Sequence, residues 1–206
     1  MNSEKSFWEK YFQEQKKYKE SKKHIMMVIA AIIREAGGVF RSKTILNKVI
    51  WKAHLIHWKE NRGLLTNEKI VHLPKGPFLD NFDPIVGFLK EDGWVIENWV
   101  KPGSYKHKRV EYRVTEKADP NISSDRLSAI RKAIEWSRGQ TANGISDRSH
   151  NESRSWKEVG VGKAQDVYLD VLSEEEHQEL LRETEKTERL LGDAIQLFES
   201  SQNGPR

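Results

Sequence analysis

The stretch from Ile45 to Phe78, ILNKVIWKAHLIHWKENRGLLTNEKIVHLPKGPF, constrains the fold more than any other part of the chain. Leu46, Val49, Ile50, Ala53 and His57 recur at helical spacing on one face, while Lys48, Lys52, Lys59 and Glu60 lie mostly off it. That pattern predicts an amphipathic helix near 43–59, with Ser42 as its N-cap. Beyond it Gly63 supplies a turn, Leu65 returns the chain to the core, and Gly76-Pro77 is expected to form a tight corner outside any regular element.

A second block lies about a hundred residues downstream, where QTANGISDRSHNESRSW carries Ala142, Ile145, Ser146, Ser149, His150, Glu152 and Trp156. Together with the run Leu46 to His54, then Gly63 and Leu65, then Gly76-Pro77-Phe78, this block resembles the paired signatures of the SocA-like antitoxin family, the Panacea domain. The resemblance covers roughly residues 25 to 172, and two signatures in the right order are more specific than either alone. The chain departs from the usual pattern at Trp51, where Tyr is common, at Lys75, where an aromatic often precedes Gly-Pro, and at Phe78, where Val is common.

Between and around the signatures, further elements follow from pattern. Ile25, Val28, Ile29, Ile32 and Ile33 predict a first core helix over 24–36, stopped by Gly37-Gly38. Asp83-Pro84 reads as an N-cap and first helical position for a helix over 83–92. Trp94 to Val100 and Val110 to Val114 read as a β-hairpin whose loop holds Lys101, Lys106, His107, Lys108 and Arg109. A basic tip of this kind is either a solvated turn or the wing of a winged-helix domain. Leu127, Ile130 and Ile134 predict a helix over 124–138, and Trp156 to Leu172 reads as a packed loop followed by a helix.

The terminal segments are more polar. Residues 4 to 23 alternate Lys and Glu around Trp8, Tyr11, Phe12 and Tyr18, as a peripheral helix would. Ser173 and Glu176 form a capping box at the head of an acidic helix whose apolar stripe thins at Thr184 and Thr187; SSQNGPR after it is expected to be disordered. The expected fold is therefore mainly α, of the α+β class. A single helical domain with a small β-hairpin spans 24–172, flanked by a helical extension over 1–23 and by an acidic helix and tail over 173–206.

Composition limits function. The chain has no Cys, which excludes disulfides and thiolate nucleophiles or metal ligands. No apolar run approaches the roughly 18 residues that span a bilayer, and the start lacks a signal-peptide core, so a cytoplasmic protein without a membrane partner is expected. The net charge of +4 permits nucleic-acid contact without requiring it.

His54, His57 and His150, with Glu60, Asp147 and Glu152 nearby in sequence, are the candidates for acid–base chemistry, and His54-x-x-His57 offers two imidazoles to a metal. No nucleophile motif, phosphate loop or complete ligand set accompanies them. Neither an enzyme, a cofactor nor a metal site is expected.

Lys48 and His54 have two readings. In one, Lys48 snorkels with its ammonium wet and His54 donates a hydrogen bond to a neighbouring loop. In the other, Lys48, Trp51, His54, His150 and Trp156 form a partner-binding surface. What the resemblance implies is an antitoxin that binds a cognate protein toxin of a bacterial or phage toxin–antitoxin system. The alternatives are a DNA-binding regulator that uses the hairpin, for which the acidic and apolar 83–92 segment is poorly suited, and a proteolytic adaptor. Oligomeric state is not set by the sequence.

Overall fold

A computed structural model describes residues 2–61, 63–101 and 108–202. The chain divides into two compact units, Met1–Asp170 and Val171–Arg206. The described residues form eight helices and five strands, so the fold is mainly α with small antiparallel sheets. No described helix is long and apolar enough to cross a membrane.

In the first unit, α1 (Asn2–Ser21) leads into α2 (Lys23–Glu35). The apolar run of α2 is enclosed nearly all round: Ile25, Met26 and every residue from Val28 to Ile33 are buried. Such a helix belongs in a core rather than on a surface. Lys19 on α1 ties that helix to the unit through Asp92 at 2.6 Å. The rest of the unit comprises β1 (Val39–Arg41), α3 (Lys43–Asn61), β2 (Ile70–Leu73), β3 (Gly76–Leu79), α4 (Phe82–Glu91), β4 (Val95–Val100), β5 (Arg109–Val114), α5 (Ser124–Ser137), α6 (Ala142–Glu152) and α7 (Arg154–Glu158).

Helix α3 is the centre of the unit, packed against α5, β3 and α6. The expected face is buried, but so are Asn47, Lys48, Trp51, His54 and Leu55, which makes the helix enclosed rather than amphipathic. Polar residues tolerate this only with partners. Asn47 donates to the Lys43 carbonyl at 2.9 Å and accepts from the Leu79 amide at 3.0 Å, fixing β3 onto the helix. Ser42 caps α3 through its hydroxyl, which accepts from the Ile45 amide at 3.3 Å. Ile50 is fully buried. Ile50→Val is expected to cost about 1 kcal/mol of stability. Equal denaturation midpoints for the two proteins would show that this helix face contributes no packing.

Strands β1, β5 and β4 form one antiparallel sheet in the order β1-β5-β4. The hairpin expected near 94–114 is its larger part, and β1 is a third strand that the short sequence Val39–Arg41 does not announce. In chain order α2, β1, α3, the β2–β3 hairpin, α4, β4 and β5 follow one another, and β5 lies between β1 and β4 in the sheet. Of the basic residues expected at the hairpin tip, Lys101, Lys108 and Arg109 are exposed, while Lys106 and His107 lie outside the described residues.

Three expectations are corrected. Gly76-Pro77 is not a corner outside regular structure: it opens β3, with His72 opposite Pro77 and Leu73 opposite Gly76. Pro is tolerated there because β3 is an edge strand, which does not need every amide for a ladder. Helix α4 starts at Phe82 with Asn81 at its N-cap; Asp83 instead pairs with Lys43 at 2.5 Å. Finally, no helix lies among the described residues between Glu158 and Glu174. That segment turns, and Ala164 bridges to Val71 on the free edge of β2.

The second unit contains α8 (Glu174–Gln202). Its capping box is formed, with the Ser173 amide donating to Glu176 Oε2 at 2.7 Å and the Glu176 amide to Ser173 Oγ at 3.1 Å. The helix continues through Ser200 to Gln202, further than the sequence suggests, and 203–206 lie outside the described residues.

Candidate functional site

The two halves of the sequence meet at β3. Lys48 projects from α3 with its side chain fully buried, and its ammonium donates to the Pro77 carbonyl at 2.6 Å. The snorkelling arrangement is thus replaced by a buried amine held by a backbone oxygen. Gly76, at φ +92°, lies against α6: a Cβ there would come 2.6 Å from Ser149 Oγ and 2.9 Å from the His150 ring. Only a residue without a side chain lets β3 approach α6 this closely.

Beside this contact the His150 ring stacks on Trp156, with centroids 3.8 Å apart and planes 6° apart. His72 on β2 also packs on Trp156, at 4.4 Å and 35°. Trp156 is fixed by its indole N–H, which donates to the Leu73 carbonyl at 3.1 Å, and His72 by a 2.6 Å contact of Nδ1 with the Val159 carbonyl. His72, His150 and Trp156 are all half-buried, so the stack has a solvent-facing side. Lys48, His150 and Trp156, distant in sequence, therefore come together, with His72 as a member that its sequence neighbourhood does not single out.

Trp51 and His54 lie elsewhere. Trp51 is fully buried, edge-on to Trp136 at 6.0 Å, and its indole N–H donates to Asp170 at 3.3 Å. Asp170 also accepts from Ser153 Oγ at 2.9 Å and from the Ser155 amide and hydroxyl at 2.8 and 3.0 Å. These bonds anchor the turn that carries Trp156, since Ser153 Oγ caps the Trp156 amide at 3.0 Å. His54 lines a separate cavity on the other part of α3 and makes no hydrogen bond through either ring nitrogen, so the expected donation to a loop is absent.

Electrostatics at the site favour neutral groups. Burial pushes the Lys48 amine down to about 7. His150 is held below its usual range by burial first, then by the charge of Lys48, with His72 adding to this and Asp147 and the Lys75 backbone opposing it. The hydroxyl of Ser149 is fully buried and donates to the Ser146 carbonyl at 2.8 Å, so it is not presented as a nucleophile. Among the described residues no three His, Asp or Glu side chains gather as metal ligands. The site is thus a half-buried stack of one indole and two imidazoles, tied to backbone carbonyls through Trp156 and His72.

A family model described as "Antitoxin SocA-like, Panacea domain" matches residues 46–157. That span begins two residues before Lys48 and ends one residue after Trp156. No curated protein and no solved structure matches the chain.

Proposed function

The chain belongs to the SocA-like antitoxin family, the Panacea domain, and from that premise we propose that it neutralises a cognate protein toxin by binding it directly. The observation that carries this reading is the half-buried stack of His72, His150 and Trp156, assembled from both halves of the matched segment. Aromatic groups on a rigid support lose little entropy on binding and are the usual centres of protein interfaces. The contact face is the stack, and buried Lys48 holds the neighbouring strand β3 through the Pro77 carbonyl.

Co-expression with the product of the neighbouring reading frame tests this. Growth rescue and a stoichiometric complex are expected, and His150→Ala should weaken the complex by about 2 kcal/mol, roughly 30-fold. Trp156→Phe, which keeps a ring in the stack, serves as a second variant with less risk to folding. Full-strength binding by folded versions of both would eliminate this face.

The alternative of a DNA-binding regulator that uses the β4–β5 hairpin has little support. The helix before that hairpin, α4, exposes Asp83, Pro84, Lys90 and Glu91, and two of these four are acidic. Acidic groups on a groove-facing helix repel phosphate.

A further inference from the structure

Helix α8 carries an apolar stripe that stays exposed along its length. Leu180, Thr184, Thr187, Leu191 and Ile195 recur at i, i+4, i+7, i+11 and i+15, which places all five within about 80° of the helix circumference. The two threonines belong to the stripe because their hydroxyls are turned back into the helix. Thr184 donates to the Leu180 carbonyl and Thr187 to the Glu183 carbonyl, both at 2.9 Å, so each presents a methyl group. Leu180, Leu191 and Ile195 are 36%, 62% and 49% exposed, although a helix in a folded protein draws most of its stability from burying such a face. The Ser173–Glu176 capping box and the three glutamates of the first turn support the helix from within, so a partner meets a ridge already formed.

The charges around the stripe are sorted by sign. Glu183 borders it on one side and Glu188 on the other, whereas Arg182, Lys186 and Arg189 lie on the opposite side of the helix. We propose that α8 docks through this stripe into an apolar groove of the toxin that is bordered by Lys and Arg, a contact additional to the His72–His150–Trp156 stack. This inference rests on the antitoxin reading. Anchors at i, i+4, i+7 and i+11 are those of a helix laid in a protein groove, and carboxylates on both rims require cations on both walls. A second copy of α8 does not supply them: its Arg and Lys side chains point away from its own stripe, so neither direction of pairing brings them to Glu183 or Glu188. The same acidic rims disfavour a lipid surface, where bound helices carry Lys and Arg, and they repel the phosphates of a nucleic acid.

Calorimetric titration of the full chain with the product of the neighbouring reading frame tests the contact. The double variant Leu191→Gln/Ile195→Gln keeps good helix formers on an exposed face; it should melt as wild type does and bind about tenfold or more weakly. Glu188→Lys should weaken binding about tenfold, while Asp193→Lys, the same change of charge on the far side of the helix, should leave it within about twofold. A complex weakened by His150→Ala but untouched by the α8 variants would overturn this inference and leave the antitoxin reading standing; no complex at all would overturn both. Equal losses from Glu188→Lys and Asp193→Lys would reduce the rim to a general charge effect and overturn its role. Self-association of the chain that Leu191→Gln/Ile195→Gln abolishes would put a second copy on the stripe, and a lowered melting temperature would show that the stripe already packs within the chain; either result overturns the proposal.

Discussion

Gly76→Ala is expected to lower the unfolding free energy by about 4 kcal/mol, combining a left-handed backbone cost of about 1 to 2 with overpacking of about 1 to 3. The added methyl would sit 2.6 Å from Ser149 Oγ and 2.9 Å from His150 Cδ2. Neither neighbour yields easily, because Ser149 is fully buried on α6 and His150 is stacked on Trp156. Gly37→Ala separates the two contributions. Gly37 has nearly the same φ, +91° against +92°, but a Cβ there meets nothing within 4 Å, so only the backbone cost of about 1 to 2 kcal/mol remains. Adding Ser149→Ala to Gly76→Ala should recover part of the loss by removing the closest atom. Equal destabilisation at Gly37 and Gly76 in urea titrations would mean that β3 and α6 are not in tight contact.

A comparably large effect is expected from pH. The Lys48 amine is lowered from 10.5 to about 7 in the folded protein. Between these values the unfolded chain holds a proton that the folded one does not, so stability rises with pH across the window 7 to 10.5 and levels off below it. Lys48→Met removes this linkage while retaining an unbranched buried side chain. The loss of its bond to the Pro77 carbonyl is independent of pH. Wild type should therefore gain roughly 2 kcal/mol relative to Lys48→Met between about pH 7 and pH 9. Denaturation curves at several pH values measure the difference, in which other titrating groups cancel. A constant gap would show that Lys48 keeps an ordinary amine in the fold.

Much of the secondary structure is legible in the sequence because it is encoded locally. The apolar run of α2, the Ser173–Glu176 box and the alternating β4–β5 strands each depend on residues a few positions apart. The same holds for the caution that Lys48 and His54 sit in unusual places, since polar residues inside an apolar pattern need a partner or a purpose. Local pattern does not say what that partner is. It misses β1, which is three residues long and exists through pairing with β5, and it mistakes the start of β3 for a corner.

The site shows the same division. The sequence by itself selects Lys48, His150 and Trp156 as members of two signatures and leaves their distance undetermined, because loop closure over a hundred residues has no local trace. Only the tertiary structure decides that β3 lies between α3 and α6, with Gly76 admitting the close approach and the Pro77 carbonyl receiving Lys48. It also decides that Trp51 is held by Asp170 in the interior and that His54 opens onto a cavity of its own. The physical reason is that burial and hydrogen-bond partnership are properties of surroundings assembled from distant segments, whereas periodicity and capping are properties of neighbours in the chain.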